Sequence, residues 1–512
     1  MNVGQSAQPL LILDDTAVML NVLKLRKENI LEKQTKILFV EDARTVRRMS
    51  VAMLRELGYV HITEAENGSD AIEKLTCLGP FDLIISDWNM PEKTGYELLK
   101  WVRSTNISRS VPFIMATAQG EKLSYKNALN AGANDYLIKP FSSKELKKVI
   151  ERVLYGKGTV DSNQKIFSPR VTDSGKLKIK VSHIQITDHL TLAVLKYLID
   201  SKKIVPQFFE LETQCAESWN SVQNALESGD VESAFVLAPI AMDLFANDIP
   251  INVILYAHKN GSICVRKKNE ESAEQLRDIY RNKIFYIPHL LSIHHMLAFM
   301  FMREIGLNPG LTDNPDADVF FEVVPPIKMP ELIVHNEEVA GFMVAEPMGS
   351  KAIIDGSAEL MYLSSEIWDY HPCCVVAIQR RLIDEFPEAV QEFTNLLVRS
   401  GLFIKSKPRT SAQIGVNFFD PGSQLGLTSN MLETVLQHPL GIKTDNLYPV
   451  IQDLEQIQQY MYNEMSIGHQ VDPHQLIVSK FADEACSSKA SEYHMNAIQD
   501  IADSVSQLLG RL

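Results

Sequence analysis

FDLIISDWNMP, the stretch from Phe81 to Pro91, decides the fold of the first part of the chain. Residues 83–85 form a short apolar run, typical of a parallel strand buried on both faces, and the run ends just before Asp87. In an open α/β sheet, ligands collect at the C-terminal ends of the strands. The pattern therefore predicts that the Asp87 carboxylate faces a functional site at that edge of a sheet.

Three more predicted strands end in polar side chains: residues 36–40 before Glu41 and Asp42, 111–116 before Thr117, and 135–138 before Lys139. Predicted helices over 43–57, 68–75, 95–103, 123–131 and 142–154 alternate with the strands, as a parallel sheet requires. Carboxylates at one edge suit a hard cation such as Mg2+. Asp87 would then accept a phosphoryl group, while Thr117 and Lys139 bind the phosphoryl oxygens that face away from the metal.

Residues 36–155 resemble a CheY-like response-regulator receiver domain, through the motifs SDWNMP and VEDARTVRRM. The resemblance implies a flavodoxin-like fold with a five-stranded parallel sheet, Mg2+ as cofactor, a histidine kinase as phosphodonor, and a chemotaxis or other signalling protein as target. It makes Asp87 the phosphoacceptor. It also assigns the metal site to Glu41, Asp42, Asp87 and the backbone carbonyl of Asn89, and the switch to Thr117, Tyr136 and Lys139.

The 512 residues are enough for about three domains. We divide them into an N-terminal extension (1–35), the receiver (36–155), a Gly-, Ser- and Asp-rich linker (156–177), a second α/β domain (178–485) and a helical tail (486–512). In the second domain we expect strands over 178–186, 208–211 and 234–237, and helices over 188–199, 218–226 and 294–303. The extension is read as an extra helix, although it faintly echoes the start of the receiver and a decayed duplicate stays open.

The composition disfavours nucleic-acid and membrane partners. The net charge is −14; residues 1–160 carry 22 Lys and Arg against 19 Asp and Glu, and residues 161–512 carry 28 against 45. The sequence has no apolar run of 18 residues and no secretory leader pattern, so we expect a cytoplasmic protein. The six cysteines lack CxxC spacing, which indicates reduced thiols.

A second resemblance extends over residues 178–485. In order along the chain, its motifs are GDVESAFVLAPIAMDL, HKNGSICV, IPHLLSIHHMLAFMF, VVPPIKMPELI, AGFMVAEP and IWDYHP. They are similar to the ABC-transporter substrate-binding proteins for nitrate, bicarbonate and sulfonates, a family that also includes thiamine-pyrimidine synthases. The resemblance implies a periplasmic-binding-protein-like α/β clamshell whose two lobes close on a small anionic solute.

Candidate pocket residues follow from these motifs: Trp219, Asn260, Ser262, Ser292, His294, His295 and Glu346. The amides at the start of the helix over 294–303 would make an anion site, with Ser292 and the two histidines as nearby donors. Core packing or helix capping would explain Trp219 and the histidines equally well. Cys373 and Cys374 are read as two small buried residues, because adjacent cysteines make a poor zinc chelate.

We therefore expect a cytoplasmic response regulator, phosphorylated on Asp87, whose C-terminal domain senses a small solute. No catalysis is expected beyond autodephosphorylation. Two alternatives stay open. One is a pyrimidine-synthase type of enzyme that uses His294, His295 or the cysteine pair on a bound cofactor, and the other is an interaction module with a non-binding cleft.

Overall fold

The computed structural model describes residues 34–105, 108–118, 131–139, 141–155, 167–268, 275–311, 314, 316–486 and 498–511. The predicted extension lies outside the described residues except for Gln34 and Thr35. Most of the predicted helix over 123–131 and the first half of the predicted linker lie outside them as well. Among the helices in these ranges, none combines the length and the apolar character that a membrane crossing needs. The chain divides into two compact units, and the larger contains every described residue from Phe167 onward.

The smaller unit is built on five strands in the order β2-β1-β3-β4-β5. The strands are β1 (Lys36–Val40), β2 (His61–Ala65), β3 (Leu83–Asp87), β4 (Phe113–Ala118) and β5 (Asp135–Lys139). The helices are α1 (Arg44–Glu56), α2 (Gly68–Leu78), α3 (Gly95–Ser104) and α4 (Ser143–Tyr155). All five strands run parallel. The predicted flavodoxin-like fold is confirmed.

The central strand β3 is buried along its whole length, as its apolar run predicts. The helix that follows begins with a capping box at Thr94. The Thr94 hydroxyl accepts a hydrogen bond from the Glu97 N–H at 3.3 Å, and the Glu97 carboxylate accepts one from the Thr94 N–H at 2.9 Å. These bonds fix the end of the loop that follows Asp87.

Gly95 lies where α3 begins beneath this loop. Its N–H donates to the Trp88 carbonyl at 2.8 Å, and a Cβ at this position would lie 1.8 Å from the backbone oxygen of Asp87. Backbone atoms cannot move aside as a flexible side chain can. Glycine is therefore required here by close approach rather than by its backbone angles.

The larger unit contains two mixed sheets. One has the order β7-β6-β8-β16-β9 and the other β12-β13-β11-β14-β10-β15. The strands are β6 (Leu177–His183), β7 (Phe209–Cys215), β8 (Ser233–Leu237), β9 (Ile251–Tyr256), β10 (Ser262–Lys267), β11 (Ile284–Ile287), β12 (Pro309–Leu311), β13 (Val319–Val323), β14 (Val339–Ala345), β15 (Ala358–Leu363) and β16 (Cys374–Gln379). Each sheet is the centre of one lobe, so the predicted two-lobed α/β architecture is confirmed.

Fifteen helices within the described part of the larger unit cover these sheets and complete the chain. They are α5 (Leu190–Asp200), α6 (Trp219–Glu227), α7 (Ala238–Ala246), α8 (Leu276–Tyr280), α9 (Ile293–Glu304), α10 (Met329–His335), α11 (Met348–Ile354), α12 (Arg380–Glu385), α13 (Pro387–Ser406), α14 (Pro408–Phe419), α15 (Ser429–Gln437), α16 (Ile451–Asn463), α17 (Pro473–Leu476), α18 (Lys480–Ala485) and α19 (Ile498–Leu509). Helix α19 lies in the predicted tail and buries Ile501, Val505 and Leu508.

Two crossing segments join the lobes. The first, residues 257–261, connects β9 to β10, and the second, residues 364–373, connects β15 to β16. They run against each other: the Asn260 N–H donates to the His371 carbonyl at 3.0 Å, and Lys259 forms an antiparallel bridge with Pro372. The two crossing segments therefore run side by side between the two sheets.

The structure differs from the sequence prediction at the end of β6. The predicted strand over 178–186 ends at His183, and a 3-10 turn, Thr187–His189, precedes α5, which begins at Leu190 rather than at 188. The turn forms because the Thr187 N–H bonds outside the helix, to the Glu346 carbonyl at 2.9 Å. This difference places a polar turn at the C-terminal end of a buried strand.

Gly95→Ala should destabilise the smaller unit by about 1 to 3 kcal/mol, because the added methyl group meets backbone. Urea unfolding, followed by hydrogen exchange in the β3 peptide, would measure the change. Gly422→Ala is the control, since a Cβ there meets no atom closer than 3.6 Å. Equal stability of the two variants would contradict the close approach.

Candidate functional site

The C-terminal edge of the parallel sheet brings three carboxylates together. Glu41, Asp42 and Asp87 each place an oxygen within 4.8 Å of the others, and Glu41 and Asp87 are buried. Three like charges held this close require a cation or protons, and carboxylate oxygens are the ligands that Mg2+ prefers. The residues present therefore fit Mg2+.

The remaining predicted receiver residues surround this edge. Thr117 lies in β4 and is buried, Tyr136 and Lys139 lie in β5, and Asn89 follows Asp87 in the loop after β3. One oxygen of the Asp87 carboxylate accepts a hydrogen bond from the Trp88 N–H at 2.8 Å. This bond orients the carboxylate within the loop.

A second polar cluster lies in the larger unit, at the turn after β6. The Asp188 carboxylate is 1% exposed, and its Oδ2 lies 3.0 Å from His258 Nε2. The same oxygen lies 3.7 Å from the Cys373 sulfur and 3.6 Å from the Cys374 sulfur. His258 belongs to the first crossing segment, and the cysteines lie where the second segment enters β16. The cluster therefore lies at the junction of the lobes.

Asp188 and His258 each stabilise the charged form of the other. Burial alone would raise the pKa of Asp188, but His258, with smaller contributions from His294 and His189, holds that pKa below its usual value. Burial alone would lower the pKa of His258, but the attraction and hydrogen bond of Asp188 raise it to about 10. The two shifts favour the ionised carboxylate and the protonated imidazole, while the Cys374 N–H also approaches His258 Nε2 at 3.4 Å.

Residues of the other lobe approach the same turn. The Thr187 N–H and hydroxyl both donate to the backbone carbonyl of Glu346, at 2.9 and 2.7 Å. Ser262 Oγ lies 3.0 Å from His294 Nε2, and the Glu346 carboxylate accepts hydrogen bonds from the Ser350 N–H and hydroxyl at 3.0 and 2.7 Å. The Thr187 contact connects the two lobes, whereas the Ser262–His294 and Glu346–Ser350 contacts lie within the lobe of the six-stranded sheet.

Within the described residues, several buried polar atoms of the Asp188 turn, its neighbours and the first crossing segment have no hydrogen-bond partner: Asp188 Oδ1, His189 Nε2, Trp219 Nε1, His258 Nδ1, Asn260 Oδ1 and His294 Nδ1. Each such group costs about 1 to 3 kcal/mol when it stays unsatisfied. A concentration of them at the junction of two lobes is typical of a site that a polar ligand or ordered water completes.

Comparison with known proteins agrees with both units. The model of the response regulator receiver domain matches residues 37–151. The chain is 44% identical over 119 residues to the chemotaxis protein CheY1 of Helicobacter pylori, and 40% identical over 118 residues to CheY of Pseudomonas aeruginosa. These matches take up 23% of this chain and 96% and 94% of the relatives.

The chain belongs to the response-regulator receiver family. It also contains an NMT1-like domain, because the model of the NMT1-like family matches residues 173–415. Two solved structures are similar to this part. One is the ligand-binding component of an ABC-type import system from Staphylococcus aureus, solved with zinc bound (TM-score 0.52, 20% identity, 61% of this chain and 99% of that chain). The other is the nitrate-binding protein NrtA of Synechocystis PCC 6803 (TM-score 0.53, 15% identity, 67% and 99%). At these identities they show the fold alone.

Within the NMT1-like domain, the structure gathers only part of the predicted pocket. Ser262, His294 and Glu346 lie around the turn that carries Asp188, and Trp219 contacts His189 edge-on, with ring centroids 5.7 Å apart. Trp219 is 1% exposed, so it is part of the core as well as a neighbour of the cluster.

The other predicted residues have structural partners. Ser292 caps α9 by accepting a hydrogen bond from the His295 N–H at 3.0 Å. The His295 ring donates from Nδ1 to the Leu290 carbonyl at 2.9 Å and packs on Phe321. The Asn260 amide donates to Asp369 at 2.9 Å. Ser292 and His295 therefore belong to the start of the helix and its core contacts.

Sequence reasoning missed Asp188 and His258 and treated the cysteine pair as packing. The available signals were a TDH triplet after an apolar strand and a histidine in the crossing segment HKNG. Neither is specific by itself. Only the tertiary fold shows that they meet.

We expect Glu346→Gln to weaken the pH dependence of stability. Burial raises the pKa of Glu346 from 4.5 to about 7; hydrogen bonds from Ser350 oppose the shift, and the charge of Asp188 adds to it. A raised carboxyl pKa makes folding less favourable as pH rises from about 4.5 to 7, because the unfolded chain ionises first. Between pH 5 and 8 the wild type should lose about 2 to 3 kcal/mol more than the variant.

Chemical denaturation of both proteins at a series of pH values checks this expectation. Ser350→Ala, which keeps the carboxyl group and removes one of its hydrogen bonds, is the companion variant and should retain the pH dependence. Parallel pH profiles for wild type and Glu346→Gln would show that Glu346 is ionised throughout this range.

Proposed function

We propose that the chain is a cytoplasmic response regulator, phosphorylated on Asp87 by a histidine kinase, whose NMT1-like domain binds a small oxyanion such as nitrate, bicarbonate or a sulfonate. The observation that carries the first part is the convergence of Glu41, Asp42 and Asp87 at one sheet edge. For the second part it is the group of unpartnered buried polar atoms around Asp188. The chain is proposed to act as a phosphoacceptor and sensor, with no catalysis beyond autodephosphorylation.

Phosphotransfer would proceed at the Asp87 carboxylate. A carboxylate oxygen attacks the phosphorus of the kinase's phosphohistidine, the P–N bond breaks, and its electron pair returns to the imidazole. The carboxylates of Glu41, Asp42 and Asp87, with the backbone carbonyl of Asn89, would hold Mg2+, which would supply positive charge to the phosphoryl oxygens. Thr117 and Lys139, at the ends of β4 and β5, bind the oxygens on the far side.

The cleft offers donors for an anion. A protonated His258 carries an N–H at its unpartnered Nδ1, and the Trp219 indole N–H is a donor that can never accept. Buried donors of this kind form hydrogen bonds to a bound oxyanion that they do not form in its absence.

Asp87→Asn should abolish Mg2+-dependent phosphorylation by acetyl phosphate, because the amide nitrogen cannot replace the attacking oxygen. Intact-mass spectrometry measures the product. Asp82→Asn is the matched control: Asp82 accepts from the Lys36 N–H at the opposite edge of the same sheet, and an asparagine oxygen can still accept this bond. An unchanged phosphorylation rate in the Asp87 variant would refute the assignment.

A thermal-shift screen with nitrate, nitrite, bicarbonate, sulfate and short sulfonates tests the solute site, since a ligand that binds only the folded domain raises its stability. Ser262→Ala should weaken the binding of the active anion about tenfold, through loss of one hydrogen-bonded partner of His294. Ser400→Ala, at a buried helical serine that donates to Leu396, is the control. Flat shifts across the whole panel would support the non-binding module instead.

The same titration with beryllofluoride and Mg2+ tests coupling between the domains. If phosphorylation and solute binding are linked, the mimic of phospho-Asp87 must change the solute affinity, and the solute must change the affinity for the mimic by the same factor. An unchanged affinity would mean that the domains act independently.

A further inference from the structure

The four groups at the junction of the lobes have the spacing of a metal site. Asp188, His258, Cys373 and Cys374 offer ligand atoms that all lie within 4.8 Å of one another. In a tetrahedral zinc site the bond lengths place sulfur and oxygen ligands about 3.5 Å apart, and nitrogen and oxygen about 3.3 Å apart. The observed distances from Asp188 Oδ2 are 3.7 and 3.6 Å to the sulfurs and 3.0 Å to His258 Nε2.

Local backbone geometry explains how two adjacent cysteines reach one point. Successive side chains of a strand point to opposite faces, so two neighbours inside a strand could not share a ligand. β16, however, begins at Cys374, and Cys373 belongs to the crossing segment before it. Both sulfurs can therefore approach the same carboxylate oxygen, and the objection to adjacent cysteines as a chelate does not hold here.

Ordinary hydrogen bonding leaves this cluster incomplete. Both thiols and the imidazole approach one oxygen of Asp188. Oδ1 of the same carboxylate and Nδ1 of His258 have no hydrogen-bond partner in the described part of the chain, although both residues are buried. Contacts from thiols at these distances are weak hydrogen bonds. A cation between the four ligands would instead contact all of them at once.

We propose that Asp188, His258, Cys373 and Cys374 form a four-coordinate site for a thiophilic divalent cation, with Zn2+ as the probe. Two sulfurs, one imidazole and one carboxylate in a tetrahedral arrangement favour Zn2+ over Mg2+ or Ca2+. Four protein ligands leave no open position, so the site is structural rather than catalytic. Binding displaces the thiol and imidazole protons.

The position of the site gives it a mechanical role. Its ligands come from the turn after β6, the first crossing segment and the end of the second. A bound cation would join these three segments at the junction of the lobes. This inference goes beyond the proposed function, because metal binding there requires neither an oxyanion nor phosphorylation.

The test uses the untagged full chain, stripped of metal by a chelator under reducing conditions and kept in excess Mg2+ to occupy the acidic receiver site. Titration with Zn2+ against a chromogenic chelator should give one equivalent of bound metal. Co2+ in place of Zn2+ should give the visible bands of a tetrahedral ion and a thiolate-to-cobalt charge-transfer band. The double variant Cys373→Ser, Cys374→Ser should lose this band and weaken binding by more than the roughly 10- to 100-fold that loss of an outer-shell partner costs.

Two further variants keep the result interpretable. Cys77→Ser, Cys215→Ser removes the two exposed thiols and should bind one equivalent as the wild type does. Asp188→Asn keeps the shape of the cluster and should retain the thiolate band with weaker affinity. Retained stoichiometry in the Cys373, Cys374 variant would overturn the proposal, as would absence of the charge-transfer band in wild type or a disulfide between the two cysteines under reducing conditions. None of these measurements uses an anion, so their outcome is independent of the outcome of the oxyanion screen.

Discussion

The larger unit depends on the pairing of one buried carboxylate, Asp188. An isolated carboxylate in a protein interior is so costly that it normally takes up a proton, and removal of the partner from a buried ion pair costs about 3 to 5 kcal/mol. His258 therefore cannot be exchanged for an uncharged residue without cost. Its pairing with Asp188 allows the turn after β6 to carry a charged carboxylate at the junction of the lobes. The contact of Thr187 with the Glu346 carbonyl then places the other lobe beside this pair.

The receiver unit meets the same constraint in a different way. Glu41, Asp42 and Asp87 converge at the C-terminal edge of a parallel sheet, the edge at which ligands collect in α/β folds. Three carboxylates this close together suit a divalent cation. One unit balances its buried carboxylate with a histidine, whereas the other groups three carboxylates that fit a divalent cation.

The sequence was informative where local pattern and tertiary position coincide. The apolar run in β3 ended at Asp87, and the βα alternation predicted the parallel sheet because each element has a simple periodicity. In the NMT1-like domain, the predicted strand over 178–186 extended past His183 because a polar turn that bonds to a distant strand has no local signature. Asp188 and His258 were missed for the same reason, since they are 70 residues apart and meet only through the topology of the sheets.

Charge balance explains how a cleft with two carboxyl groups could accept an oxyanion. Without a metal at the cluster, the charge of Asp188 is balanced by His258, because Asp188 raises the pKa of the His258 imidazole to about 10. Glu346, with a pKa raised to about 7, is largely protonated below neutrality and can then donate a hydrogen bond instead of repelling an anion. Above pH 7 its ionisation adds a negative charge to the cleft, so anion affinity should fall there. An anion whose binding instead strengthened with pH would have to lie away from Glu346.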